Sequence, residues 1–202
     1  MVKKGLYLAT EDALSEAVAE RLILDTGGVL CVDVTIPGKG AGNLKKKLPE
    51  LIGVAYSLPV LLITDLDRVA CAPLLISTWK GNRKFPRDLL FRVAVREVES
   101  WLMADAEAFA NLLKIKSTKI PSAPDTLDDP KRTLLELAKK APRAIREELI
   151  KAPGAVAAQG LGYNAVLGQF VRENWSAERA ALRSPSLASA RKRIVELAGR
   201  YR

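Results

Sequence analysis

Histidine is absent from all 202 residues. That single absence excludes Ser-His-Asp and Cys-His nucleophile systems, zinc catalysis on imidazole ligands, and histidine general-base chemistry. Any catalysis must rest on carboxylates, lysine, tyrosine, or a metal held by oxygen ligands, and an oxygen-only site suits Mg²⁺ or Mn²⁺. Cysteine is nearly absent too. The two present, Cys31 and Cys71, make neither a disulfide framework nor a zinc set. No apolar run approaches the 18 residues of a transmembrane helix. The start, Met1-Val2-Lys3-Lys4-Gly5, lacks the apolar stretch of a signal peptide, so a cytoplasmic protein with no membrane partner is expected.

Hydrophobic residues make up 49% of the chain, enough for a proper core. The length suits one large domain, or one domain with a small appendage. Lysine and arginine number 32 against 23 aspartates and glutamates, a net charge of +9. Such a surplus fits a polyanionic partner, with nucleic acid the first expectation.

The first half alternates strand and helix signals. Leu6-Tyr7-Leu8-Ala9 and Val29-Leu30-Cys31-Val32-Asp33-Val34 read as strands. Val60-Leu61-Leu62-Ile63-Thr64 is continuous, apolar and β-branched, as a parallel strand covered on both faces should be. Leu90-Phe91-Arg92-Val93-Ala94-Val95 gives a fourth. Between them, helical spacing runs over 11–24, closed by Gly27-Gly28, then over 44–55 and 72–78, and it resumes near Glu97. This alternation predicts an α/β fold, a mostly parallel four-stranded sheet flanked by helices over 1–115. Residues 117–130 read as a loop or linker by their Pro, Ser, Thr and Asp content. Helices near 131–141, 143–151, 164–173 and 186–200, broken at Pro142, Pro153-Gly154 and Gly160-Leu161-Gly162, predict a helical appendage over 116–202, docked on the sheet.

Ligands of parallel sheets bind beyond the carboxyl ends of the strands, and the acids gather there. Glu11 follows the first strand, Asp65 and Asp67 the third, Glu97 and Glu99 the fourth. Two carboxylates two residues apart point the same way in extended chain, and such a pair repels itself unless a cation intervenes. A divalent metal is the usual resolution. The plain alternative is that one aspartate caps the next helix, the other is solvated, and Arg68 pairs with either. Glu11 and the pair Glu97, Glu99 also suit the positive end of a helix dipole. Asp105 reads as an N-cap. The loop Pro37-Gly38-Lys39-Gly40-Ala41-Gly42 has neither Walker A nor dinucleotide spacing. Two readings stand for Lys45, Lys46 and Lys47 after it and for Arg83, Lys84 and Arg87 in a basic loop: contact with phosphate, or a flexible connection and a solvated loop.

Four segments together resemble an uncharacterised Toprim-like family, related to the Toprim domains of topoisomerases, primases and the overcoming-lysogenization-defect nucleases. Leu8-Ala9-Thr10-Glu11-Asp12 with Ser15-Glu16 is similar to the family's Val-Glu-Gly and Thr-Glu. Thr64-Asp65-Leu66-Asp67-Arg68 with Cys71 resembles its Asp-x-Asp-Arg and nearby Cys. The most distinctive match is Phe91-Arg92-Val93-Ala94-Val95-Arg96-Glu97-Val98-Glu99-Ser100-Trp101-Leu102-Met103-Ala104-Asp105. Arg183-Ser184-Pro185-Ser186-Leu187 looks like the closing Arg-Ser-Pro-Ser-Phe. Two positions depart: Asp12 stands where the family has Gly, and one residue is inserted before Ser15-Glu16. The resemblance implies a Toprim-type core with Glu11, Asp65 and Asp67 as catalytic metal ligands, and Glu16, Glu97 and Glu99 supporting a second metal. It implies Mg²⁺-dependent cleavage of nucleic-acid phosphodiester bonds, in bacterial defence beside an AAA-type ATPase. The alternative is a non-catalytic Toprim-like subunit that binds nucleic acid or the ATPase.

Overall fold

The computed structural model of the protein describes residues 3–36, 38–152, 154, 156–157 and 159–202. Pro37 of the glycine loop and Pro153 of the expected helix break lie outside the described residues. The first half is βαβαβαβ: β1 Lys4–Ala9, α1 Ala13–Leu24, β2 Leu30–Ile36, α2 Ala41–Val54, β3 Val60–Asp65, α3 Ala72–Lys80 and β4 Leu89–Ala94. All strand pairs are parallel, in the order β2-β1-β3-β4. The expected strands and helices are present. The glycine loop is shorter than its composition suggests, because Ala41 and Gly42 already belong to α2.

Period two in the strands sorts their side chains onto two faces. Leu6, Leu8, Leu61 and Ile63 join one core, with α1 and the later helices. Val60, Leu62, Leu89, Phe91 and Val93 join a second, covered by Leu44, Leu48 and Leu51 of α2 and by Leu75 and Trp79 of α3. Both central strands are sheathed in this way, and that is why β3 reads as an unbroken apolar run. Beyond α1, Gly27 and Gly28 have φ of +71° and +78°, the left-handed region that glycine enters without strain.

The second half is helical: α4 Val98–Ala104, α5 Ala106–Leu113, α6 Pro130–Ala138, α7 Arg143–Leu149, α8 Tyr163–Glu173, α9 Ala177–Ala181 and α10 Pro185–Gly199. Its apolar faces enter the first core directly: Leu167, Phe170, Val171, Trp175, Leu187, Ile194 and Leu197 are buried there beside Leu14, Val18 and Trp101. The Trp175 indole N–H donates to the Trp101 carbonyl, and the Trp101 indole to the Ser186 hydroxyl.

Residues 117–130 are not a free connection. They form two short 3₁₀ turns, Ser117–Lys119 and Pro124–Thr126. Asp125 accepts hydrogen bonds from the Ser184 hydroxyl and the Ser186 N–H. Arg183 clamps the same segment by donating to the carbonyls of Pro121 and Ser122, so it faces this loop and not the acids. Ser184 caps α10. Asp105 occupies the N-cap position of α5 but makes no cap bond. Its buried carboxylate accepts from Arg179 Nη2 at 2.7 Å and Nε at 3.0 Å and from the Ser176 N–H at 2.8 Å. No helix among the described residues is long and apolar enough to cross a membrane.

Candidate functional site

In the order β2-β1-β3-β4 the connections run one way from β1 to β2 and the other way from β3 to β4. The switch between β1 and β3 opens a crevice at their carboxyl ends, the position where such sheets take ligands. Glu11 leaves β1 and Asp65 ends β3, so both stand at that crevice.

The chain fixes these two side chains. Glu11 Oε1 accepts the Thr64 hydroxyl and the Asp65 N–H, the latter at 2.9 Å. Asp65 Oδ1 accepts the Val98 N–H at the start of α4, at 2.9 Å. Among the described residues, the other oxygen of each carboxylate carries no hydrogen bond. Gly38 makes the packing behind Glu11 possible: a Cβ there would lie 1.6 Å from the Thr10 carbonyl oxygen. The Gly40 N–H donates to the Glu11 carbonyl at 3.1 Å, which brings the start of α2 to the same rim. Asp12 is the N-cap of α1 and accepts the Ser15 N–H at 2.8 Å.

Asp67 is exposed and sits at φ +50°, a left-handed conformation that aspartate tolerates better than most residues. Its turn is tied to the exit of β4. The Leu66 N–H reaches the carbonyls of Ala94 and Arg96, the Asp67 N–H reaches that of Arg96, and the Arg96 guanidinium returns to the carbonyls of Asp67 and Val69. An open groove of about 590 Å³ follows, lined by Asp67, Arg68, Arg96, Glu97, Asp128 and Asp129.

Glu97 and Glu99 are held by parts of the chain that sequence reasoning did not connect to the acids. Glu97 Oε2 accepts the Lys131 N–H at 2.8 Å. Glu99 is 4% exposed; the Tyr163 hydroxyl donates to its Oε1 at 2.8 Å and the Lys131 ammonium stands 4.0 Å away. Lys131 also lies 5.1 Å from the centre of the Tyr163 ring. Both residues come from the second half, and nothing in their local pattern marks them. Glu16 does not join this group: it is half-buried on α1, and its charged neighbour is Glu20.

The electrostatics are those of an under-neutralised acid cluster. Burial holds the Asp65 carboxyl well above its ordinary range, and the charges of Glu99, Glu11, Asp12 and Asp67 push the same way. Burial raises Glu11 too, partly offset by its bonds to Thr64 and Asp65, with Asp67 and Asp12 adding to the rise. Burial raises Glu97, and it carries Glu99 up to about 7 against the stabilising Tyr163 and Lys131. Burial, and then Glu99, raises the Tyr163 hydroxyl.

Whether a divalent metal fits can be judged from these donors. They are hard oxygens only, and the Glu11 carboxylate lies against the Asp65 backbone, with one oxygen of each side chain free of hydrogen bonds among the described residues. Among the described residues, no three acidic or cysteine side chains close into a ready-made coordination group. Mg²⁺ often needs no such cage, since one or two carboxylates with substrate phosphates suffice. Glu11 and Asp65 are the pair present, with Asp67 on the adjoining turn.

The remaining expected residues divide by edge. Lys45, Lys46 and Lys47 lie in the first half of α2, which starts at the acidic rim; Lys45 and Lys46 are exposed. Arg83, Lys84 and Arg87 are exposed in the loop before β4, so they sit at the amino edge, the far side of the sheet from the acids. They cannot line the same crevice.

Fold and site together define an α/β protein with a four-stranded parallel sheet and an acidic crevice at its switch point. Comparison with family models, curated proteins and solved structures finds no match.

Proposed function

We propose that the protein is a metal-dependent nuclease that hydrolyses nucleic-acid phosphodiester bonds at the Glu11–Asp65 crevice. The observation that carries this reading is the convergence of two oriented, mutually repelling carboxylates at the topological switch point of a parallel sheet. Glu11 and Asp65, with Asp67, would hold Mg²⁺ or Mn²⁺, which supplies Lewis acidity toward a phosphate oxygen and toward attacking water. Val98 N–H and the Thr64 hydroxyl keep the two carboxylates aimed. Arg68, exposed on the same turn, and the lysines opening α2 offset the negative charge of a phosphate at the rim. The net charge of +9 favours the polyanion as substrate class. A place in bacterial defence beside an AAA-type ATPase rests on the resemblance of residues 8–16, 64–71, 91–105 and 183–187.

The test is cleavage of plasmid DNA and of RNA in Mn²⁺ by nuclease-free protein. Asp65→Asn keeps the shape and removes the charge. Loss of such an electrostatic partner costs about 100–1,000-fold in rate. Cleavage equal to the unaltered protein by a folded Asp65→Asn variant sinks the assignment. A second reading, a non-catalytic subunit binding nucleic acid or an ATPase, is favoured by one observation: no three acids close into a metal group among the described residues. Nucleic-acid binding without cleavage in either metal would establish it.

A further inference from the structure

We infer that the amino edge of the sheet, opposite the acidic crevice, is a docking surface for the nucleic-acid backbone. The inference rests on nucleic acid as the partner class in the proposed function, and its test omits divalent metal so that binding and cleavage fail separately.

Three distant segments build this surface. The Tyr201 hydroxyl donates to Asp88 Oδ2 at 2.5 Å, Arg200 Nη2 donates to Asp88 Oδ1 at 2.7 Å and to the Arg87 carbonyl, and the Lys4 ammonium stands 5.3 Å from the Tyr201 ring centre. The chain's start, the loop before β4 and the chain's end therefore share one face. The loop is mounted rigidly: Phe85 packs 6.2 Å from Phe91 of β4 and carries Lys80 at 5.5 Å, and the Leu89 N–H closes a turn on the Pro86 carbonyl.

Charge completes the case. Arg200 and Tyr201 already engage Asp88, the acid of these segments. Lys3, Arg83, Lys84, Arg87 and Arg202 are exposed and have no carboxylate partner among the described residues. Arginine and lysine on a fixed surface are the side chains that match phosphate. Among the described residues of these segments no large apolar side chain is exposed, unlike the core of a protein interface or a membrane-inserting face. The acids do not cancel this field. A six-residue strand spans about 20 Å, and screening at physiological salt acts over about 8 Å.

Released counterions report the contacts. Fluorescence anisotropy of a labelled 25-base-pair duplex, in EDTA and across a salt series, gives the slope of log affinity against log salt. Replacing Arg83, Lys84 and Arg87 together by alanine should lower that slope by about 2.7, so that the variant's deficit shrinks about 40-fold between 50 and 200 mM salt. A second variant, Lys3→Ala with Arg202→Ala, touches other segments and should lower it by about 1.8. Unchanged slopes in both basic variants overturn the inference. So does binding to phosphatidylserine vesicles with none to the duplex. Normal duplex binding by a protein that cleaves nothing removes the nuclease reading and leaves this surface standing.

Discussion

Asp105 and Arg179 form an unequal pair: the carboxylate side chain is 1% exposed and the guanidinium 52%. Arg179→Ala strands a buried charge, and about 3 kcal/mol should be lost, the low end for such a site because solvent already reaches the arginine. Asp105→Asn strands only a group that water can take up, and should cost less. Thermal melts in which Asp105→Asn is the less stable variant would contradict this. Glu99 makes a pH prediction. Its carboxyl rises from the ordinary 4.5 to about 7 in the folded chain. Below pH 4.5 both folded and unfolded forms hold the proton. Between pH 4.5 and 7 the unfolded form releases it first, so folded stability falls as pH rises, by up to about 3 kcal/mol, and stays lower above. Glu99→Gln cannot ionise and still accepts from Tyr163. Its melting temperature should match the unaltered protein near pH 4.5 and exceed it at pH 8; a deficit at pH 8 would show that the pairing with Lys131 outweighs burial.

Single elements differ in how much they disclose before folding. β3 is legible because both of its faces are buried, and Glu11 and Asp65 are legible because they follow strands. Helix α9 is not: five residues, Ala-Glu-Arg-Ala-Ala, carry too little periodicity to stand out. Residues 117–130 have a linker's composition, yet Asp125 meets Ser184 and Ser186 some sixty residues later, a pairing that no local pattern contains. Lys131 and Tyr163 escape notice beside the acids for the same reason, since their relation to Glu97 and Glu99 exists only in three dimensions. Asp12, next to a candidate ligand, proves to be a helix cap. Because α8 and α10 share the core of α1 and β1, removing residues 164–202 should expose Leu14, Val18 and Trp101 and make the remainder aggregate. A soluble fragment 1–115 with a cooperative melt, followed by circular dichroism, would mean that the sheet does not need these helices.

Across the whole molecule, charge is divided by the sheet. Glu11, Asp65, Asp67, Glu97 and Glu99 collect beyond the carboxyl ends, while Arg83, Lys84, Arg87, Arg200 and Arg202 collect at the amino ends. A body so divided has a preferred orientation in the field of a polyanion, with its basic side leading. The two sides of the sheet also differ in when they can close. Helices α2 and α3 lie in sequence between the strands they cover, so that core is available as soon as β4 has formed. The opposite core draws on residues from Leu6 to Ala198. On a ribosome adding about 5–20 residues per second, α10 follows β4 by roughly 5–20 s. Throughout that interval α1 and the short helices after β4 cover that face of the finished sheet only in part, and the nascent chain is at its stickiest until α8 and α10 arrive.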